Sequence, residues 1–482
     1  MTKSASSDSY AFRLTDSGAA TSGVGSPFKS TDGVGEPVVG HVGEMSGGEP
    51  RNLVIVVRAD PIICGHSTEA RNLAEAAIAS GFEQVHIVSY PLDVLETSGL
   101  PLKPIESVLP YSPGITVHRP AMVGDYKMLD GRLMTAMSGT LVDVIGECRG
   151  LTMVMCLYLA PHGQIVMDAV QSLEVMEAAG ALEGAERRIV TIAEAVGSDI
   201  TNVVSNALRS GDMGAARVLL SQFLMHDRPV AVSEYTRELI IASGRQVDEA
   251  AGTRFAELLE ERVGVSYPAI DTSAYVELSR EPEKVDAVLA KRGLERNKYL
   301  LFLSRVTPAK GVNDLIQAYR GSTLYGEVPL VVCGTGGAQP GCVELAAGDP
   351  NIRFFTDIGD DEKGPIMHGC YAYALPSKPR PEFIETFGIA VAEKMLAGGD
   401  GPVVTTATGG IPEATGGHCL EHVPGDVGDL RAKLNELHAM PASARRQLAQ
   451  KAQAYALRFD RAAVLAHLVA NAVVPSEEVA TG

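Results

Sequence analysis

Leu375-Pro376-Ser377-Lys378-Pro379-Arg380-Pro381-Glu382-Phe383-Ile384-Glu385-Thr386-Phe387-Gly388-Ile389-Ala390-Val391-Ala392-Glu393-Lys394-Met395-Leu396 sets two glutamates, Glu385 and Glu393, around the start of an apolar run. Ala390, Val391, Met395 and Leu396 recur at helical spacing, so the run reads as a buried helix that starts after Phe387-Gly388. A helix N-terminus offers unbonded N–H groups and the positive end of a dipole, which suits a phosphate. Carboxylates accept from hydroxyl groups, so one Glu before the helix and one inside it can hold sugar hydroxyls beside that phosphate. A nucleotide joined to a sugar is the ligand that this pattern suggests.

Glutamates eight apart on a helical segment are by themselves ordinary surface charges, and the neighbouring residues give the pair its meaning. The stretch runs on to Val403-Val404-Thr405-Thr406-Ala407-Thr408-Gly409-Gly410-Ile411-Pro412-Glu413. From Leu375 to Glu413 it resembles the signature of retaining glycosyltransferases of the GT-B fold, family GT4. The resemblance implies two Rossmann-like domains facing a central cleft. It implies Glu385 at the donor sugar, Glu393 at the nucleotide ribose, and Phe387, Gly388 and Ile389 at the donor phosphates. Gly409-Gly410 and Glu413 complete the pattern as backbone spacing near the donor.

Outward from this stretch, the chain alternates apolar runs of strand length with amphipathic segments. Leu53–Val57, Val85–Val88, Thr152–Leu157, Ile189–Ile192 and Val230–Val232 form one series, with helices expected over Ser67–Ser80 and Gln164–Ala179. Tyr299–Leu303, Leu330–Val332, Ile352–Phe355, Ala372–Leu375 and Pro402–Thr405 form a second. Both series carry the βαβ pattern of a doubly wound parallel sheet. The expected organisation is a low-complexity tail over 1–50, an acceptor domain over 51–275, a linker over 276–297 and a nucleotide-sugar donor domain over 298–455. A helix over 456–482 is expected to return to the first domain. Ligands of such sheets bind beyond the carboxyl ends of the strands, which places the site in the cleft between the domains.

The loops after the strands supply the other candidates. Ser304-Arg305-Val306-Thr307-Pro308-Ala309-Lys310-Gly311 presents a planar fork and an ammonium that can neutralise a diphosphate. The same spacing in GT4 enzymes implies that Arg305 and Lys310 contact the donor diphosphate. Gly65, at a strand-to-helix turn in Cys64-Gly65-His66-Ser67, lets backbone approach a ligand or simply shapes the turn. The family's loop here carries a Gly pair, and this chain has one. Gly334 and Gly336 after Val332 are a lone Gly-x-Gly, weak evidence for a dinucleotide, and their place near the nucleotide is implied by resemblance only. GT4 enzymes commonly carry a His at the donor sugar and reaction centre. His162 is assigned to that contact, because the alternative segment, Thr191 to Asp199, carries Glu194 where the family writes His. Glu194, Asp199 and His66 are assigned to the acceptor side or donor edge, with Tyr126 and Lys127. The family's Asn-Gly-Val-Asp turn is replaced by Tyr267-Pro268-Ala269-Ile270-Asp271.

Composition narrows the classes. Of 482 residues, 41 are basic and 59 acidic, a net charge of −18, the wrong sign for a general nucleic-acid binder. An anionic substrate needs a local cluster of cations working against that field. Seven Cys without a Cys-x-x-Cys pair point to reduced thiols. No apolar run reaches the roughly 18 residues of a membrane span. A cytoplasmic enzyme is expected, with a nucleoside-diphosphate-sugar as donor substrate, a small-molecule acceptor, no cofactor, no metal and no nucleic acid. A homo-oligomer is left open. A dehydrogenase or epimerase would open on a complete Gly-x-Gly-x-x-Gly, where this chain has Asp60-Pro61-Ile62-Ile63-Cys64-Gly65. Family members with soluble acceptors include antibiotic-pathway enzymes, among them the lincomycin-type transferase of a GDP-sugar to a thiol, and the mycothiol enzyme. A non-catalytic nucleotide-sugar-binding protein is the remaining alternative.

Overall fold

A computed structural model describes residues 51–99, 102–123, 129–182, 187–380 and 383–473. Tyr126, Lys127 and the tail over 1–50 lie outside the described residues.

Two parallel sheets account for the two series of apolar runs. The first contains β1 (Asn52–Val56), β2 (Gln84–Val88), β3 (Ile115–His118), β4 (Gly150–Leu157), β5 (Arg187–Ala195), β6 (Arg228–Ala231) and β7 (Gly264–Val265), in the order β3-β2-β1-β4-β5-β6-β7. The second contains β8 (Leu300–Leu303), β9 (Leu330–Cys333), β10 (Ile352–Phe355), β11 (Ala372–Leu375), β12 (Val403–Thr406) and β13 (Leu420–His422), in the order β10-β9-β8-β11-β12-β13. β1, β4, β8, β9 and β11 are buried along almost their whole length, because helices cover both faces. In each sheet the order reverses beside the first strand, at β1/β4 and at β8/β11. Such a switch opens a crevice at the carboxyl ends of the strands.

The chain crosses between domains twice. Ile270 N donates to Phe459 O and Arg461 N to Ile270 O, which binds the two crossings side by side. The helix Arg461–Val473 then lays Val464, Leu465, Leu468 and Ala472 into the core under the first sheet. Of the helix expected over 456–482, residues 474–482 lie outside the described residues. The linker expected over 276–297 is not one. Leu278, Val285, Leu289 and Leu294 sit in the core of the second domain. A mostly polar helix with two buried aliphatic residues reads as a tether in sequence, whereas here Pro282–Lys291 is a covering helix. The true crossings are near Ser266–Thr272 and Leu457–Arg461.

Candidate active site

The helix after Phe387-Gly388 starts at Ile389 and runs to Ala397, with no side chain capping its N-terminus. Gly388 precedes it at φ 103, a left-handed conformation that glycine adopts without strain. The helix end therefore keeps amide groups available to an anion. Just upstream, a Glu385 carboxylate oxygen is bonded to Lys310 Nζ. Lys310 is held in a short turn, Pro308–Lys310, directly after β8. The Phe383 ring lies 5.4 Å from Lys310 Nζ and 6.0 Å from the Arg305 guanidinium carbon. Arg305 itself is exposed. The expected pair of free cations is thus an exposed Arg305 and a Lys310 already neutralised by Glu385.

Gly334 and Gly336 hold the Arg305 loop in place. A Cβ at Gly334 would lie 2.1 Å from the Ser304 carbonyl oxygen, and one at Gly336 2.3 Å from that of Val306. Val306 N also donates to Thr335 O, so the two loops form one stacked unit. The Gly-x-Gly is required first by this backbone approach.

Glu393 sits on the second turn of the Ile389–Ala397 helix, where burial raises its carboxyl pKa. The hydroxyl of Tyr275 donates to it, and Lys363 and Asp360 lie near. Phe387 is not at a donor surface. It is 2% exposed and packs edge-on against Phe459 at 4.9 Å and beside Tyr267 at 5.6 Å. An aromatic residue beside a ligand-binding glycine looks the same in sequence whether it faces the ligand or, as here, wedges the domain crossings.

The first domain meets this segment at three strand ends. A Cβ on Gly65 would sit 3.5 Å from Ile389 Cδ1, and one on Gly197 3.5 Å from Thr386 Cγ2. Ser233 Oγ donates to Thr386 O at 2.6 Å while capping the helix Glu234–Ala251. Glu413 reaches back across the interface and accepts from the amides of Glu234 (2.7 Å) and Tyr235 (2.8 Å). Its role is therefore a bond between domains, beyond the backbone spacing expected of it.

Three assignments are corrected by burial. His162 is 1% exposed, with Nδ1 2.7 Å from Leu157 O and Nε2 3.2 Å from Tyr90 Oη. Both ring nitrogens are engaged, and burial drives its pKa down to about 4, so it is a neutral core histidine that does not reach a donor sugar. Asp199 is 3% exposed and accepts from the amides of Leu159 (3.0 Å) and Val196 (3.2 Å) at the start of a helix. Glu194 is fully buried against Glu69 of the Gly65–Ala79 helix. Burial and that neighbour raise the Glu194 carboxyl well above the usual range, and burial brings Glu69 up to about 7, so Glu194 is neutral at pH 7, with neither of its buried oxygens hydrogen-bonded. Burial closes His162 off from a donor sugar, and Asp199 and Glu194 from an acceptor or donor.

Among the earlier acceptor-side assignments, His66 does lie in the cleft. Its ring meets the edge of Tyr158 at 5.5 Å, and burial, with Arg58 next, lowers its pKa to about 4. Arg58, directly after β1, and Tyr158, directly after β4, escape a reading of the sequence. A lone charged or aromatic residue at a strand end carries no spacing signal, and only its position beyond an apolar run could have drawn attention to it.

Comparison with known proteins agrees with this geometry. Residues 286–455 match the family described as Glycosyl transferases group 1. That match spans the second domain and holds Arg305, Lys310, Glu385 and Glu393. A 163-residue stretch is 26% identical to O-antigen chain mannosyltransferase B of Escherichia coli and covers 33% of this chain. The chain spans 41% of the length of that relative. Among solved structures, Anabaena HepE in complex with UDP and glucose superposes with a TM-score of 0.57 over 87% of this chain and 98% of that one, at 16% identity. Sucrose-phosphate synthase of Thermosynechococcus elongatus gives 0.56 over 87% and 97%, at 17% identity. The fold is GT-B. No described helix is long and apolar enough to cross a membrane.

Proposed function

We propose that the chain is a retaining glycosyltransferase of the GT4 type, moving a sugar from a nucleoside diphosphate to a small soluble acceptor in the cytoplasm. The carrying observation is convergence: exposed Arg305, the Lys310–Glu385 pair and the uncapped helix at Ile389 lie together, opposite Gly65 of the first domain. The group 1 match over the same residues and the mannosyltransferase relative support a sugar-transfer chemistry.

In this reading Glu393 takes the ribose hydroxyls and Glu385 the donor sugar. The bond between the anomeric carbon and the diphosphate oxygen breaks, and negative charge builds on the diphosphate. Arg305 and the helix amides receive that charge, and Lys310 joins them as its link to Glu385 loosens. The acceptor heteroatom forms its bond from the face the diphosphate leaves, and its proton passes to the departing diphosphate. A second buried carboxylate placed as nucleophile is not required. The acceptor is assigned to secondary-metabolite, thiol or aminocyclitol chemistry, with HepE's UDP and a GDP-sugar as the first donors to try.

The test is a panel of nucleotide sugars mixed with a metabolite extract and read by mass spectrometry, with NMR of the anomeric proton in the product. Free nucleoside diphosphate with a retained anomeric configuration is expected. Nucleotide-sugar binding without turnover across the panel would assign the chain to the non-catalytic alternative.

A further inference from the structure

Three arginines stand at the carboxyl end of the first sheet, and two have acceptors. Arg71 bonds Asp60 at 2.8 and 3.0 Å, and Arg119 donates to the carbonyls of Asp60 and Tyr90. Arg58 is half-buried directly after β1. Among the described residues, no carboxylate or carbonyl accepts from it. A guanidinium has five N–H donors and cannot shed its charge, and none of the Arg58 nitrogens is closed off from water, so its donors remain open to an incoming group. The face of the Tyr158 ring lies 5.5 Å from the guanidinium carbon, and His66, Tyr90 and His162 are close enough to feel the Arg58 charge. Tyr158 holds φ 74, a conformation rare for a non-glycine residue and one that clusters at functional sites. The other edge of the Tyr158 ring carries His66, so Arg58, Tyr158 and His66 form one stack beside Gly65 and hence opposite Ile389.

We infer that Arg58 is the receptor for an anionic group, a phosphate or carboxylate, on the acceptor, with Tyr158 and His66 positioning it. The inference rests on the transferase reading above. Diphosphate of the donor is met by Arg305 and the Ile389 helix in the second domain, whereas Arg58 belongs to the first. With 59 acidic residues against 41 basic, an anionic acceptor gains affinity only from a local unpaired cation, and Arg58 supplies one. A half-exposed cation with no protein acceptor is then paired by the substrate, so a charged acceptor is favoured over its uncharged analogue.

The test reads His66 by NMR in the full chain, with inorganic phosphate as the probe and Arg58→Gln as the variant. His66 titrates low partly because Arg58 is beside it. Phosphate bound at Arg58 should raise the His66 midpoint in the wild type and leave it unmoved in Arg58→Gln. An unmoved midpoint in the wild type, or a shift that persists in the variant, overturns the assignment. A second arm compares hexoses, hexose 6-phosphates and hexuronates as acceptors. The wild type should favour the charged ones at least tenfold, Arg58→Gln should lose that preference, and Arg58→Lys should regain part of it. UDP and GDP affinity should be equal in wild type and variant, and a tenfold loss would place Arg58 on the donor instead. If phosphate moves His66 but no donor turns over, the transferase reading fails while the anion site stands.

Discussion

Lys310 Nζ and the Glu385 carboxylate are bonded to one another at the end of β8, with side chains only 6% and 13% exposed. The two residues proposed to meet the donor phosphates and the donor sugar are thus one unit. Removing either partner strands a charge in a site largely out of water, at a cost of about 3–5 kcal/mol for a fully buried pair. Lys310→Ala should therefore lose both activity and thermal stability. The Lys310→Ala/Glu385→Ala double variant should recover much of the stability and none of the activity. Equal stability of the single and double variants in thermal unfolding would mean that the pair carries no coupling.

Glu393 is half-buried and receives the Tyr275 hydroxyl, so its carboxylate is already oriented, as the proposed ribose contact requires. Glu393→Gln should weaken nucleotide and donor alike, by about tenfold, the loss of one hydrogen bond to a charged group. Tyr275→Phe should weaken both less. Glu385→Gln should leave nucleoside diphosphate affinity near normal and reduce turnover. Calorimetry with UDP and GDP on the three variants separates these roles, and unchanged affinity in Glu393→Gln would remove the ribose assignment.

The Glu69–Glu194 pair makes stability depend on pH in an uncommon direction. Both carboxyls are raised above the ordinary value of 4.5, Glu69 to about 7. The folded state therefore binds protons that the unfolded state releases. That contribution is full below about 4.5 and is lost as pH rises through about 7 and beyond. Glu194→Gln keeps the shape of the side chain without needing the proton. It should stabilise the protein by on the order of 1 kcal/mol at pH 8 and by almost nothing near pH 5. Buried His162 and His66 act in the opposite sense, with a cost that appears as pH falls from 6.5 toward about 4. Thermal unfolding across pH 5 to 8 checks this, and a constant difference between Glu194→Gln and wild type would refute it.

If Arg305, the Ile389 helix end and a Lys310 released from Glu385 receive the charge of the leaving diphosphate, a divalent cation is redundant. Turnover should persist in excess chelator. Abolition by chelator, with recovery in Mg²⁺ or Mn²⁺, would replace the metal-free account.

Much of this fold is legible because ten of the thirteen strands among the described residues are apolar runs of useful length. β7, with two residues, and β13, with polar Glu421 and His422, carry too little hydrophobic signal. β3 reads as loop because Thr116 and His118 interrupt it. In the site, Arg305, Lys310 and Glu385 are visible through spacing after strands and before a helix. Burial is what spacing does not carry. His162, Glu194 and Asp199 have the right residue types at strand ends, yet each turns inward and is satisfied or neutralised there. Arg58 is the converse, an unremarkable residue in sequence that only its missing partner singles out.

The most direct measurement is nucleoside diphosphate released from a nucleotide-sugar panel by the wild type and by Arg305→Ala/Lys310→Ala, with folding checked by circular dichroism. The account predicts release by the wild type with at least one donor and a loss of about 10²-fold or more in the folded double variant, the scale of removing a preorganised donor at developing charge. Equal release by wild type and double variant would contradict it.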